Sequence, residues 1–489
     1  MLRNFVKYNY IKEAFLEFYE NIMSEKYDDG DKVANRWFMF AMLWFPLFTS
    51  FGLILAIKMF YPTFLVNAAW LTFGRIRPAH VNGVLFGFVS SGLIGGMFYI
   101  VPRLCANPLK RPDVAKYLPF AWNFAIIAGI IMILSGNTQA REYAELPWVI
   151  DVLVMATLLV MGYVIMGTIF ERKEHRLYVS LWFFAGIMVW FPIVYFTGNV
   201  MWNPPTGALH GVIDAIFNWY YGHNVLGLWF TPFGIGIWYY AFPKITGKSL
   251  YSNTLSLISF FSIAFFYTGV GGHHLLQAPI PEWLKTIAVM TTGLMMFSVI
   301  TFAVNIGMTV RQAWHHVIYD VPLRFMAFGF LNYIFVSMQG TLQGLRTTNA
   351  YLHFSQWPVG HAHMALLGAF GFTSVGLIYW LVPKITGNRL YSRSLMNWSW
   401  WVAFTGYFFF MFAMTVAGLV ANAQWIQHMT IAQALPTLRV YFILRAIGGG
   451  TIVIGAYIFA FDVILTFLGK HSGEKIESKK LTLEMEVTQ

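Results

Sequence analysis

Charge is scarce in this chain, and cysteine is almost missing. Only 11% of its 489 residues are Asp, Glu, Lys or Arg, against 58% hydrophobic and 19% aromatic. So little charge cannot cover so much apolar surface, which excludes a soluble domain and predicts an integral membrane protein. Cys105 is the only cysteine. An intrachain disulfide, an iron–sulfur cluster and a covalent c-type haem, which needs Cys-x-x-Cys-His, are therefore excluded, and any redox cofactor must be held by other ligands. Acids are the rarer sign, 21 against 32 Lys and Arg, for a net charge of +11. The basic residues sit in short connections between apolar runs and not along one face, a pattern that encodes membrane orientation and argues against nucleic acid as a partner.

Apolar stretches long enough to cross about 30 Å of hydrocarbon run near 37–60, 80–101, 118–136, 148–170, 177–197, 215–242, 254–275, 286–308, 325–342, 359–382, 396–422 and 440–468. They predict an all-α integral membrane fold of twelve transmembrane helices. With both termini cytoplasmic, 24 of the Lys and Arg fall in tails and inner connections and 8 at outer ends, as the positive-inside rule requires. Residues 1–35 mix acids and lysines with Phe5, Tyr8, Ile11, Phe15, Phe18 and Ile22 and lack a continuous apolar core. They read as a cytoplasmic amphipathic segment at the lipid interface, not a signal peptide. Residues 36–468 form the twelve-helix domain, and 469–489 a charged cytoplasmic tail.

A repeat is hidden in this pattern. Pro243-Lys-Ile-Thr-Gly-Lys-Ser-Leu-Tyr-Ser252 returns 140 residues later as Pro383-Lys-Ile-Thr-Gly-Asn-Arg-Leu-Tyr-Ser392, and Tyr99-Ile-Val-Pro-Arg103 lies 141 residues earlier. Three pseudo-symmetric four-helix units follow. His223 and His363 each stand twenty residues before their proline, and His80 and His361 twenty-two before theirs. Helices two, six and ten thus carry histidine near the same outer end.

Of the 13 histidines, this topology puts His80, His210, His223, His273, His274, His353, His361, His363 and His428 outside, and His175, His315, His316 and His471 inside. A single histidine in a span is most simply a packed, hydrogen-bonded side chain. Six from four helices at one depth point instead to metal, because neutral imidazole is the commonest metal ligand. His361 and His363 lie roughly 200° apart around a helix, so they face two metals on opposite sides. No carboxylate or cysteine accompanies them, which suits macrocycle iron. His273 and His274, about 100° apart, can converge on one ion with a third ligand, for which His223 is the candidate. Tyr267 lies about 9 Å below His273 along the axis and can face the same cavity, although an ordinary packed tyrosine fits that spacing as well.

These residues resemble the catalytic subunit of the haem-copper oxidases, and most closely the cbb3-type (C-type) cytochrome c oxidases. The motifs are Phe73-Gly-Arg-Ile-Arg77-Pro-Ala-His80-Val-Asn, Arg141-Glu142-Tyr-Ala-Glu145, Trp219-Tyr-Tyr-Gly-His223-Asn, Tyr267 with Gly272-His273-His274, and Gly360-His361-Ala-His363. The resemblance implies His80 and His363 as axial ligands of a low-spin haem b and His361 as the proximal ligand of a high-spin haem b. His223, His273 and His274 would bind CuB, with Tyr267 joined covalently to His223. Arg77 and Trp219 would contact haem propionates, and Glu142, with Glu145, would sit at a calcium ion. Hydroxyls of Tyr239, Ser256 and Thr231 resemble a proton path from the cytoplasm, though helix–helix hydrogen bonding accounts for them equally. Electrons would come from membrane-anchored monohaem and dihaem c-type cytochrome subunits in a bacterial inner membrane, cross helix ten, and meet dioxygen between iron and copper, coupled to proton uptake and pumping. Breaking the O–O bond takes four electrons: iron gives two, copper one, and Tyr267 the fourth with a proton.

The chain departs from that pattern at Gln339, where the family usually has glutamate, and at Gly272, where it commonly has proline. Nitric oxide reductases, of which a cbb3-like branch is the alternative reading, share the fold and six histidines but replace copper with non-haem iron, and the classical type places a glutamate four residues after the first metal histidine. Here that residue is Gly227, and the reductases lack Tyr267. A secondary transporter using histidine relays would mix in acids or lysines, whereas Asp462 is the one clear mid-span acid in this reading.

Overall fold

The computed structural model of the chain describes residues 28–139, 141–201, 209–311, 313–470 and 472. Twelve helices in it are long and apolar enough to cross a membrane: α1 (Asp28–Phe60), α2 (Phe73–Leu104), α3 (Pro112–Ser135), α4 (Trp148–Phe170), α5 (Val179–Val200), α6 (Gly211–Thr246), α7 (Asn253–Leu275), α8 (Glu282–Val310), α9 (Val321–Gln343), α10 (Trp357–Thr386), α11 (Arg393–Ile426) and α12 (Ile431–Phe467). Several start earlier than their apolar runs. Among the described residues α1 already runs from Asp28, so it crosses the expected boundary at residue 36. Thr430 and Gln433 form a capping box that starts α12 at Ile431, because reciprocal bonds satisfy its orphan N–H groups. The expected amphipathic segment lies outside the described residues up to Asp28, as does nearly all of the tail.

Three helices form the centre. The apolar stretches of α2, α6 and α10 are 94%, 94% and 89% buried, against 33–56% for the other nine, so the three helices with histidine at matching repeat positions are hidden from lipid, whereas α7, which carries His273 and His274, is 33% buried. The threefold repeat recurs as backbone geometry at the inner ends. The eighth residue after each repeat proline donates its N–H to a threonine hydroxyl two helices on: Lys110 to Thr168 at 2.9 Å, Tyr251 to Thr309 at 3.1 Å, and Tyr391 to Thr466 at 3.0 Å. The fourth residue after each proline takes a left-handed turn, at Ala106, Gly247 and Gly387 (φ 48°, 65° and 68°).

Each central helix also contains a wide π-type turn just inward of its histidine: Gly83–Val89 in α2, Leu226–Phe230 in α6 and Met364–Gly371 in α10. Such turns recur at functional sites. Side chains attend to carbonyls in these stretches. Trp122 Nε1 donates to Phe86 O at 2.8 Å, and Thr373 Oγ1 donates to Ala369 O at 2.6 Å. Elsewhere the bundle packs through small residues, which let helices approach where lipid offers no hydrophobic drive. A Cβ at Gly406 of α11 would stand 2.7 Å from Gly448 O of α12.

Candidate metal and cofactor centre

One wall of the site is set by how α7 stops. Its last residues, Gly271–Leu275, tighten into a 3₁₀ turn carrying His273 and His274. A Cβ at Gly271 would be 2.4 Å from Trp219 O of α6, so only glycine lets the turn press onto that helix. The result brings His223 of α6 to the pair. His223 Nδ1 lies 3.0 Å from His274 Nε2, and one ligand atom from each of the three imidazoles falls within 4.8 Å of the others. Thr292 Oγ1 donates to Ala288 O at 2.6 Å and therefore accepts from His273 Nδ1 at 2.9 Å, which leaves His273 Nε2 free for the cluster. Among the described residues this trio is the one group of three or more His, Cys, Asp or Glu side chains placed to hold an ion.

Two aromatic rings enclose the trio. Trp219 stacks on His274 at a centroid distance of 4.0 Å and 11° between planes. Tyr267 lies 5.4 Å from His223, tilted by 31°, and Thr231 lines the same cavity. Tyr267 and the trio thus face one space, an internal cavity of about 640 Å³.

The same cavity is lined by His80, His361 and His363. Their Nδ1 atoms are all engaged: His80 with Phe48 O at 2.6 Å, His363 with Val359 O at 2.7 Å, and His361 with Gln339 Oε1 at 2.8 Å. Each acceptor fixes Nδ1–H as donor and leaves Nε2 with the lone pair that a metal needs. Glycines stand beside two of these rings. A Cβ at Gly52 would be 2.7 Å from His80 Cε1, and one at Gly340 would be 3.2 Å from His361 Cε1.

At the outer rim, Arg77 lines the cavity and donates to Glu142 Oε1, and its other nitrogen is 3.9 Å from Glu145 Oε1. Glu145 is buried, with Asn82 donating to its second oxygen at 3.0 Å. Burial pushes its carboxyl up to about 7, despite the opposing pull of Arg77.

Sequence reasoning missed Arg445. It lines the cavity from α12; its Nε is buried with no hydrogen-bond partner, and its Nη1 reaches Gln356 Oε1 only at 3.5 Å. A half-buried guanidinium whose Nε has no partner and that faces no carboxylate is costly and suits an anionic group in the cavity. Its signal was a lone charge entering an apolar span. Thr292 carried no signal, since hydroxyls are common in spans. Asp151 was also missed: it is fully buried in α4 and accepts from Tyr195 at 2.7 Å and Gln139 at 2.8 Å, so Asp462 is not the only enclosed acid in a span.

The cavity wall therefore unites the six histidines with Tyr267, Arg77, Trp219, Glu142 and Thr231. Tyr239 and Ser256 lie off it. Tyr239 meets Asn305 Nδ2 at 3.4 Å, and Ser256 donates to Asn253 O at 2.6 Å within its own helix.

Twelve helices long and apolar enough to cross a membrane, around three converging histidines able to hold a metal ion and further imidazoles with free nitrogens, mark a membrane protein that carries the ligands for metal cofactors. Residues 32–451 match the family described as Cytochrome C and Quinol oxidase polypeptide I, and the chain belongs to that family of haem-copper oxidases. It is 31% identical to the cytochrome c oxidase subunit 1 homolog of Agrobacterium tumefaciens, over 92% of this chain and 86% of that one. Against the cbb3-type cytochrome c oxidase subunit CcoN1 of Stutzerimonas stutzeri it is 29% identical, covering 88% and 94%. A nitric oxide reductase of the same organism is more distant, at 24% identity over 88% of this chain and 94% of that one. A haem-copper terminal oxidase dimer solved by cryo-EM shares the fold, with a TM-score of 0.74 and 17% identity over 90% of this chain and 85% of that one.

Proposed function

We propose that this chain is the catalytic subunit of a cbb3-type terminal oxidase, reducing dioxygen to water with electrons from c-type cytochrome subunits in a bacterial cytoplasmic membrane. The observation that carries the reading is Tyr267, packed against His223 of the metal trio. In this reading His80 and His363 hold a low-spin haem b, His361 a high-spin haem b, and His223, His273 and His274 a copper ion. Bound together, the high-spin haem and copper supply three of the four electrons that break the O–O bond.

The chain's own residues do the rest. Tyr267 gives the fourth electron and a proton from its phenol oxygen, becoming a neutral phenoxyl that one donor electron and one proton restore. Two dioxygen-derived oxygens leave as two waters once four electrons and four protons have entered. Thr231, which lines the cavity with Tyr267, is the last hydroxyl before Tyr267 on a path from the inner side, with Tyr239 and Ser256 as earlier members and Asn305 beside Tyr239. Trp219 buttresses His274, and Gln339 orients His361. Arg445 and Arg77 neutralise propionates at the rim. Glu142 contributes to a calcium site with Glu145 Oε1 and Asn82 Oδ1, two buried oxygens that have no hydrogen-bond donor. The excess of Lys and Arg in inner connections supports cytoplasmic termini.

Metal analysis with dioxygen and nitric oxide turnover on one preparation tests the reading. Two b-type haems, one copper and dioxygen turnover are expected. Iron without copper, with activity on nitric oxide alone, would overturn it.

A further inference from the structure

Gly227 lies four residues beyond His223, inside the wide turn of α6, and is buried. A Cβ built there would fall 1.8 Å from Tyr267 Cε1, 2.0 Å from Cδ1 and 2.5 Å from Cζ. No real Cβ tolerates such distances. The short distances all fall on the ring itself and not on the far end of a flexible side chain, and that ring packs against His223 of the metal trio. Of the glycines around the cavity, this one meets its neighbour most closely. Gly52 and Gly340 would meet imidazoles at 2.7 and 3.2 Å, distances that a modest tilt relieves.

We propose that Gly227 is the position that admits Tyr267 to the reaction centre: any residue with a side chain at 227 forces the phenol away from His223. The inference rests on the oxidase reading for its effect on turnover, but the steric exclusion stands independently. The two positions then form a single unit. A tyrosine at 267 requires an empty place at 227, and the wide turn is what points residue 227 at α7 and not along α6. Gly227 acts through Tyr267 and is a positioning residue.

The test is a double-mutant cycle in the complete oxidase complex, comparing Gly227→Ala, Tyr267→Ala and the double variant. Haem content confirms folding in each. For Gly227→Ala alone, kcat should fall by about 10- to 100-fold, the range for disturbing a group that orients a metal site. KM for dioxygen should change little, and the tyrosyl signal in electron paramagnetic resonance after an oxygen pulse should vanish. In the Tyr267→Ala background the same substitution should add nothing, because the ring it displaces is gone. Unchanged kcat and an intact tyrosyl signal in Gly227→Ala would overturn the proposal. So would an equal loss of copper on introducing Gly227→Ala into either background, which would mark a packing role. If the unsubstituted complex turns over nitric oxide and not dioxygen while the cycle stays non-additive in copper content, the exclusion is upheld and the oxidase reading fails instead.

Discussion

The two sides of α10 hold their histidines by different means. On one side, His80 and His363 give their Nδ1 protons to main-chain carbonyls, Phe48 O and Val359 O. On the other, His361 and His273 lean on side chains, Gln339 and Thr292. A carbonyl acceptor is written into helix geometry, and no side-chain substitution removes it. An amide or hydroxyl acceptor can be exchanged by one mutation. In the proposed reading, the side where dioxygen would react is thus the one whose supporting hydrogen bonds are open to adjustment, and the side where electrons would enter is held by main-chain carbonyls. Gln339 is a case in point: where the family resemblance implies glutamate, this chain presents a neutral amide to His361.

The largest expected effect comes from removing a ligand. His223→Ala should abolish copper binding and dioxygen turnover while both haems remain, as metal analysis and the reduced haem spectrum would report; full copper content would remove His223 from the trio. Next is Gln339→Leu, which leaves His361 Nδ1–H buried without an acceptor. Turnover or haem retention should fall by about 10- to 100-fold, or about 1.4–2.7 kcal/mol. Gln339→Glu should keep the haem and lower the midpoint potential of the high-spin haem, because an anionic acceptor makes the imidazole a stronger donor; an unmoved potential would break the comparison. Thr292→Val should weaken copper binding by about tenfold, read by chelator competition, with the low-spin haem spectrum unmoved. The smallest effect belongs to the carbonyl-held side. Val359→Ala should cost about 1 kcal/mol of stability through lost methyl packing, leaving the low-spin spectrum in place. A shifted low-spin spectrum would show that the carbonyl alone does not hold His363.

Much of the site could be read before any coordinates. The 140- and 141-residue offsets put histidine at one depth in α2, α6 and α10, because duplication preserves spacing and helices convert spacing into height. That Tyr267 could face the trio's cavity followed from helical rotation. What escaped was of another kind. Arg445 approaches the cavity from α12, more than eighty residues along the chain from the nearest site histidine, His363, and no local pattern connects them. Thr292 acts through one oxygen and looks like any hydroxyl in a span. The start of α12 at Ile431 depends on a capping box between Thr430 and Gln433, which hydropathy does not register. The wide turns left no residue signature, since they are shifts of hydrogen-bond register compatible with many sequences.

Those wide turns have a consequence for how the chain can change. One extra residue in a helix, absorbed as a bulge, rotates everything beyond it by about 100°. Each central helix is therefore two half-rods joined out of phase. The outer half aims imidazoles at the cofactors while the inner half keeps its own face toward its neighbours. A single-residue deletion within 364–371 would preserve the composition and apolar length of α10 almost entirely, yet it would swing His361 and His363 off both cofactors at once. Insertions and deletions there act as a change of timing between two gears, and natural variation in this region should favour substitutions over any change in length.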